Sequence, residues 1–113
     1  MITGKVWGES ELVKSCSPFE LHRICVYAGG YCSKHKHETK WNGFLVESGE
    51  LEITVWQNSG IVDITILRPG QYTDVPPGLF HRFAATEETI AFELYWSEMT
   101  ANDIIREGHG GVN

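Results

Sequence analysis

The chain has 113 residues, 42% of them hydrophobic, and a formal charge of −6. That is apolar material for one domain, residues 1–113, with one core and little room for a second. The acidic balance argues against general binding to nucleic acid or anionic membranes, and no stretch approaches the ~20 apolar residues of a membrane span.

In chain order, residues 1–25 lack the layout of a signal peptide. Leu21-His-Arg-Ile-Cys-Val-Tyr27 reads as a strand ending at Gly29-Gly30. Next comes His35-Lys-His37. A strand alternates its side chains, so the two histidines share a face while Lys34 and Lys36 look the other way. Phe44–Val46 and Leu51–Trp56 flank Glu47-Ser-Gly-Glu50, a hairpin signal, and Gln57–Gly60 joins the second of these to Ile61–Leu67 as another hairpin. The alternation in Leu51–Val55 and Ile61–Ile66 fits sheets with one wet and one dry face. Arg68-Pro-Gly70 is a turn. Pro76-Pro77-Gly78 ends one strand and starts the next, which carries His81. Thr89–Trp96 is a last long strand, and residues 97–106 have room for one short helix. His109, in a glycine-rich end, is a poor ligand candidate.

Strands recurring every ~8–12 residues predict an all-β sandwich or barrel. The three cysteines, Cys16, Cys25 and Cys32, are odd in number and lack Cys-x-x-Cys spacing. Reduced thiols in a cytoplasmic protein account for them most simply. The strand phase that turns His35 inward turns Cys32 outward. Lys34, Lys36 and Lys40 form a basic cluster that is also readable as a solvated strand face.

Two spacings carry a resemblance. Gly29, His35, His37 and Gly49, and then Gly70, Pro76, Gly78 and His81, fall where the two motifs of the cupins place them (about 29–49 and 70–85). Cupins are jelly-roll barrels of the double-stranded β-helix type. The resemblance therefore implies that fold, with at most a short C-terminal helix. It also implies a divalent transition metal (Zn, Fe, Ni, Co or Mn) on His35, His37 and His81. Asn42 stands where the family has a ligating Glu, and a neutral amide is the poorer ligand. Ala85 replaces the final Asn of the second motif. Within the cupins, Trp7-Gly8, the run Ser33–Gly49 and Asn102–Arg106 resemble the cupin domain of bacterial type II mannose-6-phosphate isomerases. That domain typically has Gln at the place of His35 and Arg at that of Lys40.

Three functions follow as expectations. A sugar-phosphate isomerase would polarise the substrate on the metal and shuttle a proton with a carboxylate. Glu93, in phase with Ala91 and Tyr95, is the candidate base if that face lines the cavity; a solvent-facing Glu is the other reading. Lys40 or Arg82 would take the phosphate, although Arg82 alternates away from His81. A three-histidine Fe(II) dioxygenase would use Tyr72, Phe83 and Tyr95 as an apolar pocket. A binding module for a sugar or small acid would use Trp41, Phe44, Phe83 and Tyr95, which are equally readable as core. The expected partners are a small-molecule substrate or ligand and a second copy of the chain. The first ~15 residues or the tail are candidate exchange segments.

Overall fold

Apolar residues alternating with polar ones make strands. The computed structural model describes residues 1–97 with Gly110 and Val112. Within them the chain forms β1 (Ile2–Lys5), β2 (Gly8–Cys16), β3 (Phe19–Val26), β4 (Trp41–Ser48), β5 (Leu51–Trp56), β6 (Val62–Leu67), β7 (Tyr72–Val75), β8 (Phe80–Ala85) and β9 (Thr89–Trp96). A six-stranded sheet in the order β1-β2-β3-β9-β4-β7 faces a three-stranded sheet, β6-β5-β8. Every pairing is antiparallel. This is the expected all-β jelly roll. Among the described residues no helix is long and apolar enough to cross a membrane. The expected helix, past Ser97, and His109 lie outside the described residues.

The inward rows of the two sheets meet in one core. Ile24, Val26, Phe44, Val46, Leu51 and Ile53 are essentially fully buried, each contributing roughly 1.5–3 kcal/mol of transfer free energy. The core fills one end of the barrel. At the other end the inward positions are Glu20 and His22 on β3 with Glu93 and Tyr95 on β9, and a cavity opens there.

Several expectations need correction. The first fifteen residues, for which no strand was expected, form β1 and β2, a hairpin whose second strand pairs with β3 along its length. Glu11-Leu-Val-Lys14 hides this strand because its alternation breaks at the bulge between Leu12 and Lys14. Glu47–Glu50 does not close a hairpin. β4 and β5 belong to different sheets, and Gly49, at φ +86°, carries the chain between them. β5 and β6 do form the second hairpin, closed by the Gln57 N–H donating to the Ile61 carbonyl at 2.8 Å. In β6, however, the aliphatic side chains are on the wrong side for a core. Thr65 pairs with Ile53 and Asp63 with Val55, so Val62, Ile64 and Ile66 face outward and are exposed.

The candidate metal centre

His35 and His37 are not on a strand. Residues 31–40 run as an extended segment tied to β8 by two isolated bridges, Tyr31 to Ala84 and His35 to His81. His35 and His81 exchange both backbone hydrogen bonds, at 3.1 and 2.8 Å, which sets their side chains side by side. The Pro76-Pro77-Gly78 turn adds the third member. Gly78, at φ +87°, donates its N–H to the His37 carbonyl at 2.8 Å. One nitrogen of each imidazole then lies within 4.8 Å of one from each of the others.

Hydrogen bonds orient two of the rings. His35 Nδ1 is 2.7 Å from the Ser33 carbonyl and His81 Nδ1 is 3.0 Å from the Leu79 carbonyl. A carbonyl only accepts, so each Nδ1 carries the proton and each Nε2 keeps its lone pair. Burial holds His37 below the ordinary histidine range, helped by His35 and Lys40. Burial likewise lowers His81 to about 4, against the Leu79 carbonyl and with help from His35 and His37. Both rings are therefore neutral at physiological pH, the state in which imidazole ligates a metal.

The surroundings leave those lone pairs unsatisfied. His37 Nε2 is buried without a hydrogen-bond partner. His81 Nε2 faces Asn42 Oδ1 at 2.9 Å. Asn42 has its amide nitrogen toward Glu93 Oε2 at 3.4 Å and the Leu94 carbonyl at 3.2 Å, which fixes the oxygen on the histidine side. Two lone pairs thus oppose one another between two buried side chains. A cation between them removes the conflict, and two donors each ~2.1 Å from one ion stand about 3 Å apart. The donors present fit a divalent transition metal.

Asn42 also joins the histidines to an acid. Glu93 is 6% exposed, so the cavity-facing reading holds and the solvent-facing one does not. Burial raises its pKa, while hydrogen bonds from Tyr95 and Asn42 and the nearby His22 oppose the rise. Tyr95 gives its hydroxyl to Glu93, and its own pKa is pushed far up by burial and by that carboxylate.

The cavity has a volume of about 600 Å³ and takes in His35, His37, Glu93, Tyr95, Phe83 and Lys40. Phe83 stands against Trp7 at 5.0 Å edge-to-face. Lys40 Nζ lies 3.7 Å from Glu20 Oε2 at the cavity wall. Tyr72 does not line the cavity: it is on the outer side of β7, 47% exposed, and gives its hydroxyl to Asp74. Trp41 is outside too, stacked on Trp96. Phe44 is wholly buried against Phe83. Arg82 turns outward over Tyr31, and Lys34 and Lys36 lie over Trp56 and Phe80.

Cys32 overturns its expected orientation. It is buried in the cavity wall, its sulfur accepts the Phe83 N–H at 3.2 Å, and burial pushes its thiol up to about 11. Strand phase did not carry back from His35 because residues 32–34 are not strand. Trp7, Ser10, Glu20 and His22 also line the cavity and went unread as site residues. His22 has Ser10 Oγ at 3.4 Å and Glu20 Oε1 at 3.7 Å. For Glu20 and His22 the signal was their two-residue spacing with Ile24.

Residues 22–98 match the family model described as the cupin domain. No curated protein matches the sequence. Among solved structures, the chain is similar to KdgF from Halomonas sp., with a TM-score of 0.75 and 17% identity over 88% of this chain and 87% of that one. It is also similar to the Cnp3 cupin domain of Schizosaccharomyces pombe (TM-score 0.71, 13% identity, 83% and 67% covered). Oxalate oxidase aligns at TM-score 0.63 and 20% identity, over 70% of this chain and 42% of that enzyme. Likeness at these identities establishes a fold shared by proteins of different function.

Proposed function

This chain belongs to the cupin-domain family, and we propose that it is a metal-dependent isomerase of a small phosphorylated sugar resembling mannose 6-phosphate. His35, His37 and His81 would hold one divalent transition metal, with Asn42 Oδ1 as an oxygen donor. The observation that carries this reading is the buried His37 Nε2 without a partner, beside lone pairs opposed across 2.9 Å, next to a buried carboxylate. When bound, the ion supplies Lewis-acid polarisation of a substrate carbonyl.

The chain's own residues do the rest. Glu93 takes the proton from the hydroxyl-bearing carbon beside that carbonyl and returns it to the carbonyl carbon, while the proton of that hydroxyl passes through solvent to the former carbonyl oxygen. Its raised pKa brings it toward neutrality, where a base both accepts and releases a proton readily. Tyr95 and Asn42 hold the carboxylate in place. Trp7 and Phe83 keep water from that end of the cavity, and Lys40 offers a cation to the phosphate. The buried acid beside the histidines supplies the proton acceptor that an isomerisation needs. The resemblance to type II mannose-6-phosphate isomerases supports the substrate class, and the reduced cysteines support a cytoplasmic setting.

The test is elemental analysis of untagged wild type, His81→Ala and Glu93→Gln, with NMR of mannose 6-phosphate in deuterated buffer. Near-stoichiometric metal in wild type and Glu93→Gln, lost at least tenfold in His81→Ala, is the expected pattern. Deuterium should enter the substrate at C1 or C2 with wild type and not with Glu93→Gln. Oxygen uptake by the iron form that survives Glu93→Gln would instead establish a dioxygenase. Metal-free wild type after reconstitution with each ion would leave a binding module.

A further inference from the structure

β6 carries its aliphatic row, Val62, Ile64 and Ile66, on the outside of the barrel. Residues paired across neighbouring strands share a face, so the register continues that surface across the small sheet. Val62 stands beside Trp56 and Trp56 beside Phe80, while Ile64 stands beside Thr54 and Thr54 beside Arg82. Thr54 points outward yet is 6% exposed, so its taller neighbours close over it and the surface has no gap. Beyond β8 the extended segment from Tyr31, held by its two bridges, adds Lys34 and Lys36. This half of the face is cationic. Lys34 Nζ lies 4.2 Å from the centre of the Trp56 ring and Lys36 Nζ 5.0 Å from that of Phe80. The Arg82 guanidinium lies 5.5 Å from the centre of the exposed Tyr31 ring. Ring faces hold cations in place without neutralising them. Among the described residues only Lys36 of the three has a carboxylate at ion-pairing distance, the exposed Glu38 at 3.8 Å. Glu52, on the same face beside Ala84, pairs with none of them.

We infer that this outer face of the small sheet docks a short amphipathic segment of another protein, a stripe of aliphatic side chains flanked by Asp or Glu. The aliphatic stripe lies on Val62, Ile64 and Ile66, and the acids meet Lys34, Lys36 and Arg82. Three features select that occupant. The first is size. Four strands ~4.8 Å apart, with about six residues each at ~3.3 Å, present roughly 19 by 20 Å. That is about half of the ~800 Å² that each partner gives to a standard interface. It suits a segment rather than a folded domain, since a helix of ~13 residues is about 20 Å long and ~10 Å wide.

The second is the division of the face into an aliphatic half and a cationic half. A single-stranded nucleic acid would stack on the rings and pair with the cations, and would leave the aliphatic row bare. An acidic amphipathic segment covers both halves. The third is net charge. At −6 the chain repels a polyanion or an anionic bilayer, each of which reaches well beyond the patch. A short segment lies within the Debye length of ~8 Å and meets the local cations alone.

The experiment is fluorescence anisotropy of the full chain with three labelled peptides of ~14 residues, with circular dichroism to confirm that each variant is folded. The first peptide carries leucines at helical spacing flanked by glutamates. The second has lysines in place of the glutamates, and the third has serines in place of the leucines. The first should bind with a Kd of ~10–100 μM, the weak end that so small an area allows. It should bind at least tenfold more tightly than the other two, and less tightly as salt is added. Lys34→Glu and Ile64→Asp should each weaken it at least fivefold. Lys14→Glu, an equal change of net charge at an exposed position on β2, should leave it within twofold. A first peptide still unbound at ~500 μM protein, or bound no better than its lysine or serine counterpart, overturns the inference. So does binding that Lys34→Glu and Ile64→Asp leave unmoved. Tighter binding of single-stranded oligo(dT) or of phosphatidylserine vesicles, lost in Lys34→Glu, would give the face to a nucleic acid or a membrane and overturn it equally.

Discussion

A carboxylate enclosed by Asn42, Tyr95 and the histidines has its charged form disfavoured by desolvation, so Glu93 titrates above its ordinary value. Below about 4.5 the folded and unfolded chains both hold that proton and no penalty arises. Above it the unfolded chain releases the proton first, and stability falls as pH rises. In metal-free protein Glu93→Gln should therefore stabilise the fold at pH 7–8 by about 1 kcal/mol, some 4–8 °C in Tm for a chain of this size. The gain should vanish near pH 4, and calorimetry across that range checks it. The same substitution removes the proposed base, so stability and turnover should move in opposite directions. His35, His37 and His81 were legible through their spacing in the two cupin motifs, although the strand alternation expected for His35 and His37 is absent there. Cys32 was misread, and Asn42 was readable only as a departure from a pattern, because its value lies in what Glu93 and His81 do around it.

The elements were legible where period two was clean, as in Leu51–Trp56, or where an apolar run was long, as in Thr89–Trp96. They were lost where a bulge or a break in strand interrupts the phase, as at Leu12–Lys14 and Tyr31–Lys40. Glu47–Glu50 has hairpin residues yet moves the chain between sheets, since composition marks a turn without saying where it leads. A comparison of two glycines with the same backbone sense isolates that difference. Gly49 and Gly70 have φ of +86° and +84°. A Cβ on Gly49 would stand 2.5 Å from the Glu88 carbonyl and the Thr89 hydroxyl, while one on Gly70 meets nothing within 4 Å. Gly70→Ala should cost about 1 kcal/mol, from the left-handed backbone alone. Gly49→Ala should cost about 3 kcal/mol or more, because it also drives β4 from β9. Urea melts of both variants decide it.

At the scale of the molecule, the apolar outer row of β9 was present in the sequence as Ile90, Phe92, Leu94 and Trp96. It could not be told from core until the register showed which row the barrel had already used. The same strand has a kinetic consequence. β3 finds its neighbour in β9, with His22 against Glu93, so the large sheet cannot assemble until the two ends of the chain meet. Such long-range pairing makes folding slow, on the millisecond-to-second scale. The histidines join in one place through the bridge from His35 to His81 and the bond from Gly78 to His37, contacts that the closed sheets must hold in position. A metal should therefore arrive after the rate-limiting step. In stopped-flow experiments with Zn²⁺ at ~100 times its Kd, unfolding should slow by about a hundredfold while refolding keeps its metal-free rate. The ion would then act as a latch on the finished barrel, setting how long each molecule lasts and leaving how quickly it forms to the strands.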